Sequence, residues 1–240
     1  MNRHDVTWQG YWVAAPTPFG AERDLDLTAL RTLLSLYADQ GVSGATGLPF
    51  MVYNWPRGVA VDIGACPGLF RRLADLDQVV AVKDSTGDWL GMLDTVEALA
   101  ADTRVFGSFL HQRGLAVLLG LGGDGNIDGG GLAAPFAVPF YAAVRAGDRD
   151  TAACWAGRYM AVSARLIRPD YSGVFASPVP QLKAAMGLLG QPAGAVRRPL
   201  LDLTDPVKLV RIAEVLHDSG LAEALGLPAG TLGVTAGVRR

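Results

Sequence analysis

The sequence predicts an α/β fold built on parallel strands and followed by an all-helical C-terminal region, and three observations carry that expectation. Short apolar runs, each ending in Gly, Pro, Asp or Ser, alternate with longer stretches whose apolar residues recur at helical spacing, the pattern of repeated βαβ units. The run Val79-Val80-Ala81-Val82 is continuously apolar, as in a parallel strand covered on both faces. After Gly147 the strand pattern stops and only helical spacing continues.

Strands are expected near residues 11–17, 49–54, 79–83, 104–107 and 125–128, with helices near 27–39, 67–76, 89–100, 112–119 and 135–145. Three more helices are expected at 148–167, 177–189 and 205–219. Pro206 suits a first helical position, with Thr204 or Asp205 as N-cap, and Ser85, Thr86 or Asp88 can cap the helix that begins at Trp89. The organisation read from this pattern is an α/β part over 1–147, a helical region over 148–227, and a tail at 228–240 whose Gly and small residues predict disorder.

A chain of 240 residues, 50% hydrophobic and 18% charged, can bury a substantial core in one globular domain. Its formal net charge of -2, with acidic and basic residues scattered, offers no electrostatic footprint for nucleic acid, so a small-molecule partner is expected. Cys66 and Cys154 have neither metal-ligand spacing nor the number for a disulfide framework. The N-terminal residues lack the apolar core of a signal peptide and no long apolar stretch follows, which predicts a cytoplasmic protein without a membrane partner.

Three lysines, Lys83, Lys183 and Lys208, stand among 21 basic residues, so the position of each carries information. Lys83 closes the apolar run at 79–82, where burial would disfavour the charged ammonium and push the amine toward its neutral, nucleophilic form. The carboxyl end of a parallel strand is where α/β enzymes place their chemistry, and attack on a ketone to form an imine is a characteristic lysine reaction. A lysine that snorkels out of the strand end or pairs with Asp84 is the alternative.

Tyr53 ends the preceding strand, one βαβ unit away. If the two strands are neighbours, a spacing of roughly 4.8 Å brings Tyr53 and Lys83 to the same mouth, where a phenol could relay protons during imine formation and hydrolysis. A strand-end tyrosine bonded to a nearby backbone group is its alternative. Ser108, Asp84, Ser85, Thr86, Asp88 and Asp128 also fall at or beyond strand carboxyl ends, within reach of a substrate's polar groups. His111 reads as a structural residue at a helix start. The glycine-rich segment at 120–131 reads as a tight lead-in, a short strand and an exit loop in preference to a phosphate loop, because several glycines precede the strand.

The blocks Ala14-Ala15-Pro16-Thr17-Pro18-Phe19, Tyr53-Asn54-Trp55-Pro56, Val80-Ala81-Val82-Lys83-Asp84-Ser85-Thr86-Gly87 and Gly122-Gly123-Asp124-Gly125-Asn126-Ile127 together resemble the dihydrodipicolinate synthase and N-acetylneuraminate lyase family. Leu182-Lys183-Ala184-Ala185-Met186 and Arg197-Arg198-Pro199-Leu200 resemble its C-terminal helical region. The resemblance implies an eight-stranded α/β barrel with three extra helices, assembled as homotetramers or dimers. It implies that Lys83 forms an imine with pyruvate or a related 2-oxo acid, that Tyr53 relays protons, and that Ile127 offers a main-chain carbonyl to the bound acid. No cofactor is implied, because the iminium is itself the electron sink.

Against that pattern, Ala45-Thr46-Gly47-Leu48 passes directly into what resembles the family's fifth strand, so strands two to four are missing and with them a threonine-rich carboxylate loop. The fold expected is therefore an incomplete (β/α) TIM-type barrel of about five parallel strands, which cannot close with the tilt and stagger of eight. Thr46 is a remnant of the lost loop or the end of a helix. Gly58 stands where family members that make dihydrodipicolinate carry an arginine for the second substrate's carboxylate, with Arg57 one residue earlier, so dihydrodipicolinate synthesis itself is not expected. Arg57 or a backbone N–H cluster is a candidate replacement for the lost carboxylate loop. Two functions remain open: a Schiff-base lyase or aldolase, and a catalytically impaired remnant serving as a binding or interaction protein.

Overall fold

The computed structural model describes residues 10–14, 18, 20, 22, 26–40, 50–59, 62, 71, 75, 79–129 and 131–227. Among them, strands β1 (Gly10–Ala14), β2 (Phe50–Asn54), β3 (Val79–Asp84), β4 (Arg104–Gly107) and β5 (Gly125–Gly129) alternate with helices, as the sequence pattern predicts. The helices are α1 (Leu27–Asp39), the single turn α2 (Pro56–Val59), α3 (Trp89–Leu99), α4 (Gln112–Gly120) and α5 (Ala134–Ala146). Beyond them come α6 (Arg149–Leu166), α7 (Pro178–Leu188), α8 (Pro206–Asp218) and the short α9 (Leu221–Ala224). The helix expected at 67–76 lies outside the described residues apart from Arg71 and Asp75, whose backbones share a one-turn hydrogen bond of 2.9 Å. The tail expected at 228–240 also lies outside them.

The strands form one sheet in the order β1-β5-β4-β3-β2, in which β2 with β3, β3 with β4 and β4 with β5 pair in parallel. Among the described strands β1 and β2 are the two edges and do not pair with each other, so the sheet is open between them. No helix among the described residues is long and apolar enough to cross a membrane.

Two compact units are traced by the described residues. The first takes in the described residues within Met1–Trp12, Ser43–Ile127 and Val138–Gly157, the second those within Val13–Val42, Asp128–Ala137 and Arg158–Arg240. In the first unit β3 feeds two apolar clusters, and from Ala81 onward, beyond the register shift, its side chains alternate between two faces. Val82 packs with Val105, Met92, Val96, Leu99, Phe109 and Val117 on the side of α3 and α4. Ala81 packs with Val80 and Phe106, and with partly buried Met51 and Ile127. Phe106, Phe109, Val80 and Val82 have lost nearly all solvent contact, each worth about 1.5–3 kcal/mol of apolar transfer.

Caps fix where the helices start. Asp88 accepts from the backbone N–H groups of Leu90 and Gly91, both at 3.2 Å, and so is the cap among the three residues the sequence offered. His111 Nδ1 accepts from Gly114 N–H at 3.1 Å and caps α4. Asp205 caps α8 with Pro206 in the first turn. At the amino ends of β4 and β5, Arg104 Nη1 and Asp124 Oδ1 form a buried ion pair of 2.7 Å, while Asp124 Oδ2 accepts from Val105 N–H at 2.8 Å.

In the second unit, buried polar side chains hold the loops between helices. Gln181 Nε2 donates to the Leu166 carbonyl at 2.7 Å and its Oε1 accepts from Phe175 N–H at 2.8 Å. Lys183 is buried, with its Nζ donating to the Ala195 carbonyl at 2.7 Å. Burial pushes the Lys183 amine below the usual lysine value, and the charge of Asp202 opposes that shift.

Two glycines on helices should respond in opposite ways to alanine. A Cβ on Gly114 would lie against the backbone carbonyl of Phe109, whereas one on Gly157, within α6, meets nothing within 4 Å. Gly114→Ala should destabilise by about 2–4 kcal/mol through forced backbone movement. Gly157→Ala should stabilise by about 0.5–1 kcal/mol through helix propensity. Urea unfolding of both variants checks the pair.

Candidate active site

Alternation along β3 settles where Lys83 points. Val82 and Asp84 face α3, because Val82 packs on its apolar residues and Asp84 accepts a hydrogen bond from Thr95. Lys83, between them, emerges on the opposite face, above Ala81 and in register with Phe106. It is partly buried. Parallel pairing sets Tyr53 directly beside it. Lys83 Nζ lies over the Tyr53 ring, 4.4 Å from its centroid, a cation–π contact whenever the amine is charged.

Tyr53 is also stacked on Trp55, with centroids 6.1 Å apart and planes 1° from parallel. Both rings are 46% exposed, so the amine sits at an open aromatic rim that a small molecule can approach from solvent. The ring contact provides a phenol next to an amine, the combination that imine chemistry uses.

Directly behind this pair is a buried polar network. Asn54 and Asp84, also register partners, are 0% and 1% exposed. Asn54 Nδ2 donates to Asp84 Oδ1 and to Asp62 Oδ1, both at 3.0 Å. Thr86 N–H donates to the same Asp84 oxygen at 3.0 Å, and Thr95 Oγ1 donates to Asp84 Oδ2 at 2.9 Å. Asp84 therefore spends its oxygens on neutral donors, and the alternative of an Asp84–Lys83 pair is not what the strand adopts. Burial raises the Asp84 carboxyl above the usual aspartate value; the hydrogen bonds from Thr95, Asn54 and Thr86 oppose this, and the nearby charge of Asp62 adds to it.

The other expected residues are placed as follows. Ser108 follows the last residue of β4 and is partly buried. Ile127 lies in β5, packed against the Val80, Ala81 and Phe106 cluster on the face that bears Lys83. Between them, buried Asn126 accepts from Phe109 N–H at 2.5 Å and from Tyr141 Oη at 3.3 Å, which fixes the loop after β4 against β5. Arg57 is exposed on α2. Thr46 lies outside the described residues. His111 serves as a helix cap with its ring 5.0 Å from that of Trp89, and burial lowers its pKa.

Sequence reasoning missed Asn54, Thr95 and Trp55. Thr95 did leave a signal: it is a hydroxyl on the helix face that otherwise buries Met92, Val96 and Leu99.

The sequence model of the dihydrodipicolinate synthetase family matches residues 34–215. The 4-hydroxy-tetrahydrodipicolinate synthase of Heliobacterium modesticaldum is 30% identical over 184 residues, covering 75% of this chain and 56% of that protein. A probable 5-dehydro-4-deoxyglucarate dehydratase of Cereibacter sphaeroides is 32% identical over 190 residues, covering 77% of this chain and 59% of that protein. The chain thus spans little more than half the length of these curated relatives. Among solved structures, a monomeric dihydrodipicolinate synthase variant aligns with a TM-score of 0.72 at 20% identity, covering 89% of this chain and 97% of that one. YagE, a prophage protein of the dihydrodipicolinic acid synthase family from E. coli K12 in complex with pyruvate, aligns with a TM-score of 0.74 at 17% identity, covering 90% and 100%.

The raised Asp84 carboxyl has a testable consequence for stability. The native state holds this proton more tightly than the unfolded chain, so the carboxyl's contribution is complete below the ordinary value of 3.8 and is lost as pH rises through its raised native value. Wild type should gain stability relative to Asp84→Asn as pH falls from about 7 toward about 4. Urea unfolding at stepped pH reads the difference, and a gap that does not change with pH would contradict it.

Proposed function

Because the chain belongs to the dihydrodipicolinate synthetase family, we propose that it is a lysine Schiff-base lyase or aldolase acting on pyruvate or a related 2-oxo acid. The observation that carries this reading is the amine of Lys83 resting on the Tyr53 ring at the carboxyl edge of a parallel sheet. It also favours catalysis over a binding role without chemistry.

In this reading the Lys83 amine attacks the C2 carbonyl of the acid and forms a carbinolamine. The Tyr53 hydroxyl hands a proton to the departing oxygen, water leaves, and an iminium remains on Nζ. The iminium then draws in electrons from the C3–H bond as the Tyr53 phenolate takes that proton, or from the C3–C4 bond as the phenolate takes the C4 hydroxyl proton and the fragment leaves as a carbonyl compound. Either route gives an enamine that can attack a carbonyl acceptor or be protonated. Ser108 and the Ile127 main-chain carbonyl are assigned to the bound acid, and Arg57 and Thr46 to its carboxylate. The relatives include both a synthase and a probable dehydratase, and the same enamine serves either reaction. A cytoplasmic homo-oligomer fits the reading, because β1 and β2 are the edges among the described strands and sheet edges are surfaces that a second copy can cover.

Exchange of the methyl protons of pyruvate in deuterium oxide tests the proposal without a second substrate. Proton NMR should show exchange above the uncatalysed rate with the wild type and none above it with Lys83→Met. Tyr53→Phe should slow it by about 100-fold, the usual contribution of a positioned proton donor. A folded wild-type protein that leaves the exchange rate unchanged would overturn the reading.

A further inference from the structure

We infer that the Asn54–Asp84 pair is a positioning device for the Lys83–Tyr53 site, fixing the register of β2, which among the described strands is an edge. The inference rests on the reading of Lys83 as an imine-forming lysine.

Tyr53 sits on an edge strand. Among the described strands β2 pairs only with β3, and that ladder shifts register between Phe50 and Met51. The ladder therefore keeps one constant register with β3 only from Met51 onward. A slip of one residue would turn Tyr53 to the other face, and a slip of two would carry it roughly 6.6 Å along the strand. Either displacement ends the contact with Lys83.

The carboxyl end of β2 carries what the amino end lacks. Asn54 follows Tyr53 and Asp84 follows Lys83, so a bond between Asn54 and Asp84 is a bond between the two catalytic positions one residue on. It is made by side chains 0% and 1% exposed, at 3.0 Å, and is seconded by Ser85 N–H donating to the Asn54 carbonyl at 2.9 Å. Asp84 is itself held from α3 by Thr95 and from its own loop by Thr86. Slipping β2 would strip the Asn54 amide from a buried carboxylate, and groups so buried are costly to leave unmatched. The lock lies on the face opposite the amine, so it acts through Tyr53 without touching substrate.

Asn54→Ala removes the cross-strand bond, and Thr95→Val removes the bond from α3 to the same carboxylate while leaving β2 attached. Two readouts separate positioning from general loosening. The first is the pyruvate methyl-exchange rate, which should fall by about 10- to 100-fold in Asn54→Ala and by less than about twofold in Thr95→Val. In a double-mutant cycle Asn54→Ala should add almost nothing to Tyr53→Phe, because both act through the same phenol. The second is independent of activity: with three lysines in the chain, labelled lysine resolves the Lys83 side chain by NMR, and the Tyr53 ring current should shift its ε-methylene upfield. Asn54→Ala should abolish that shift and Thr95→Val should keep it; Asn54→Ser serves in the same comparison if the alanine variant does not fold. If the shift and the rate survive in folded Asn54 variants, or if Thr95→Val lowers both equally, the inference is overturned. If the wild type shows no exchange yet Asn54→Ala still abolishes the shift, the proposed chemistry fails and the positioning role stands.

Discussion

A buried carboxylate organises this site. Asp84 is almost fully removed from solvent on the helix-facing side of β3, and an ionised carboxylate there is tolerated only when its oxygens are matched by donors. Those donors come from three places, the edge strand through Asn54, the loop through Thr86 and the covering helix through Thr95. Satisfying one charge thus joins β2, β3 and α3 at the end of the sheet that carries Lys83 and Tyr53. Because side chains alternate along a strand, fixing Asn54 and Asp84 on one face fixes Tyr53 and Lys83 on the other.

Two lysines show why burial alone does not identify a reactive amine. Lys183 is the more deeply buried, and its amine is shifted in the direction expected of a nucleophile, yet its Nζ is bonded to the Ala195 carbonyl and holds a loop of the helical region. Lys83 is only partly buried, but it projects beside a partly exposed phenol at a strand's carboxyl end. Position and neighbour, not depth of burial, are what mark Lys83 as the candidate.

Much of this was legible in the sequence because the signals were local. The unbroken apolar run before Lys83 gave away a doubly covered strand, the helical period with its capping residues located α3, α4 and α8, and the change of pattern after Gly147 announced the helical region. The pairing of Tyr53 with Lys83 was legible through the length of a single βαβ unit. What remained hidden was long-range or short in extent. The turn α2 is too brief for periodicity to register, and the cap at Asp88 could not be separated from its neighbours Ser85 and Thr86 by residue type alone. The bond from Thr95 to Asp84 joins residues on a helix and a strand that nothing local relates, and it left only a misplaced hydroxyl as a trace. Thr46 shows a different boundary, since it falls outside the described residues.

A sheet whose described strands end at β1 and β2, and a chain that matches little more than half the length of its curated relatives, make the condition of the amine the central question. Peptide mass spectrometry after incubation with pyruvate and borohydride addresses it most directly, since reduction converts a transient imine into a stable secondary amine. The account predicts a pyruvate-derived adduct on the peptide that contains Lys83 and none on those containing Lys183 or Lys208. A folded protein recovered without modification at Lys83, or modified at Lys183 instead, would contradict it.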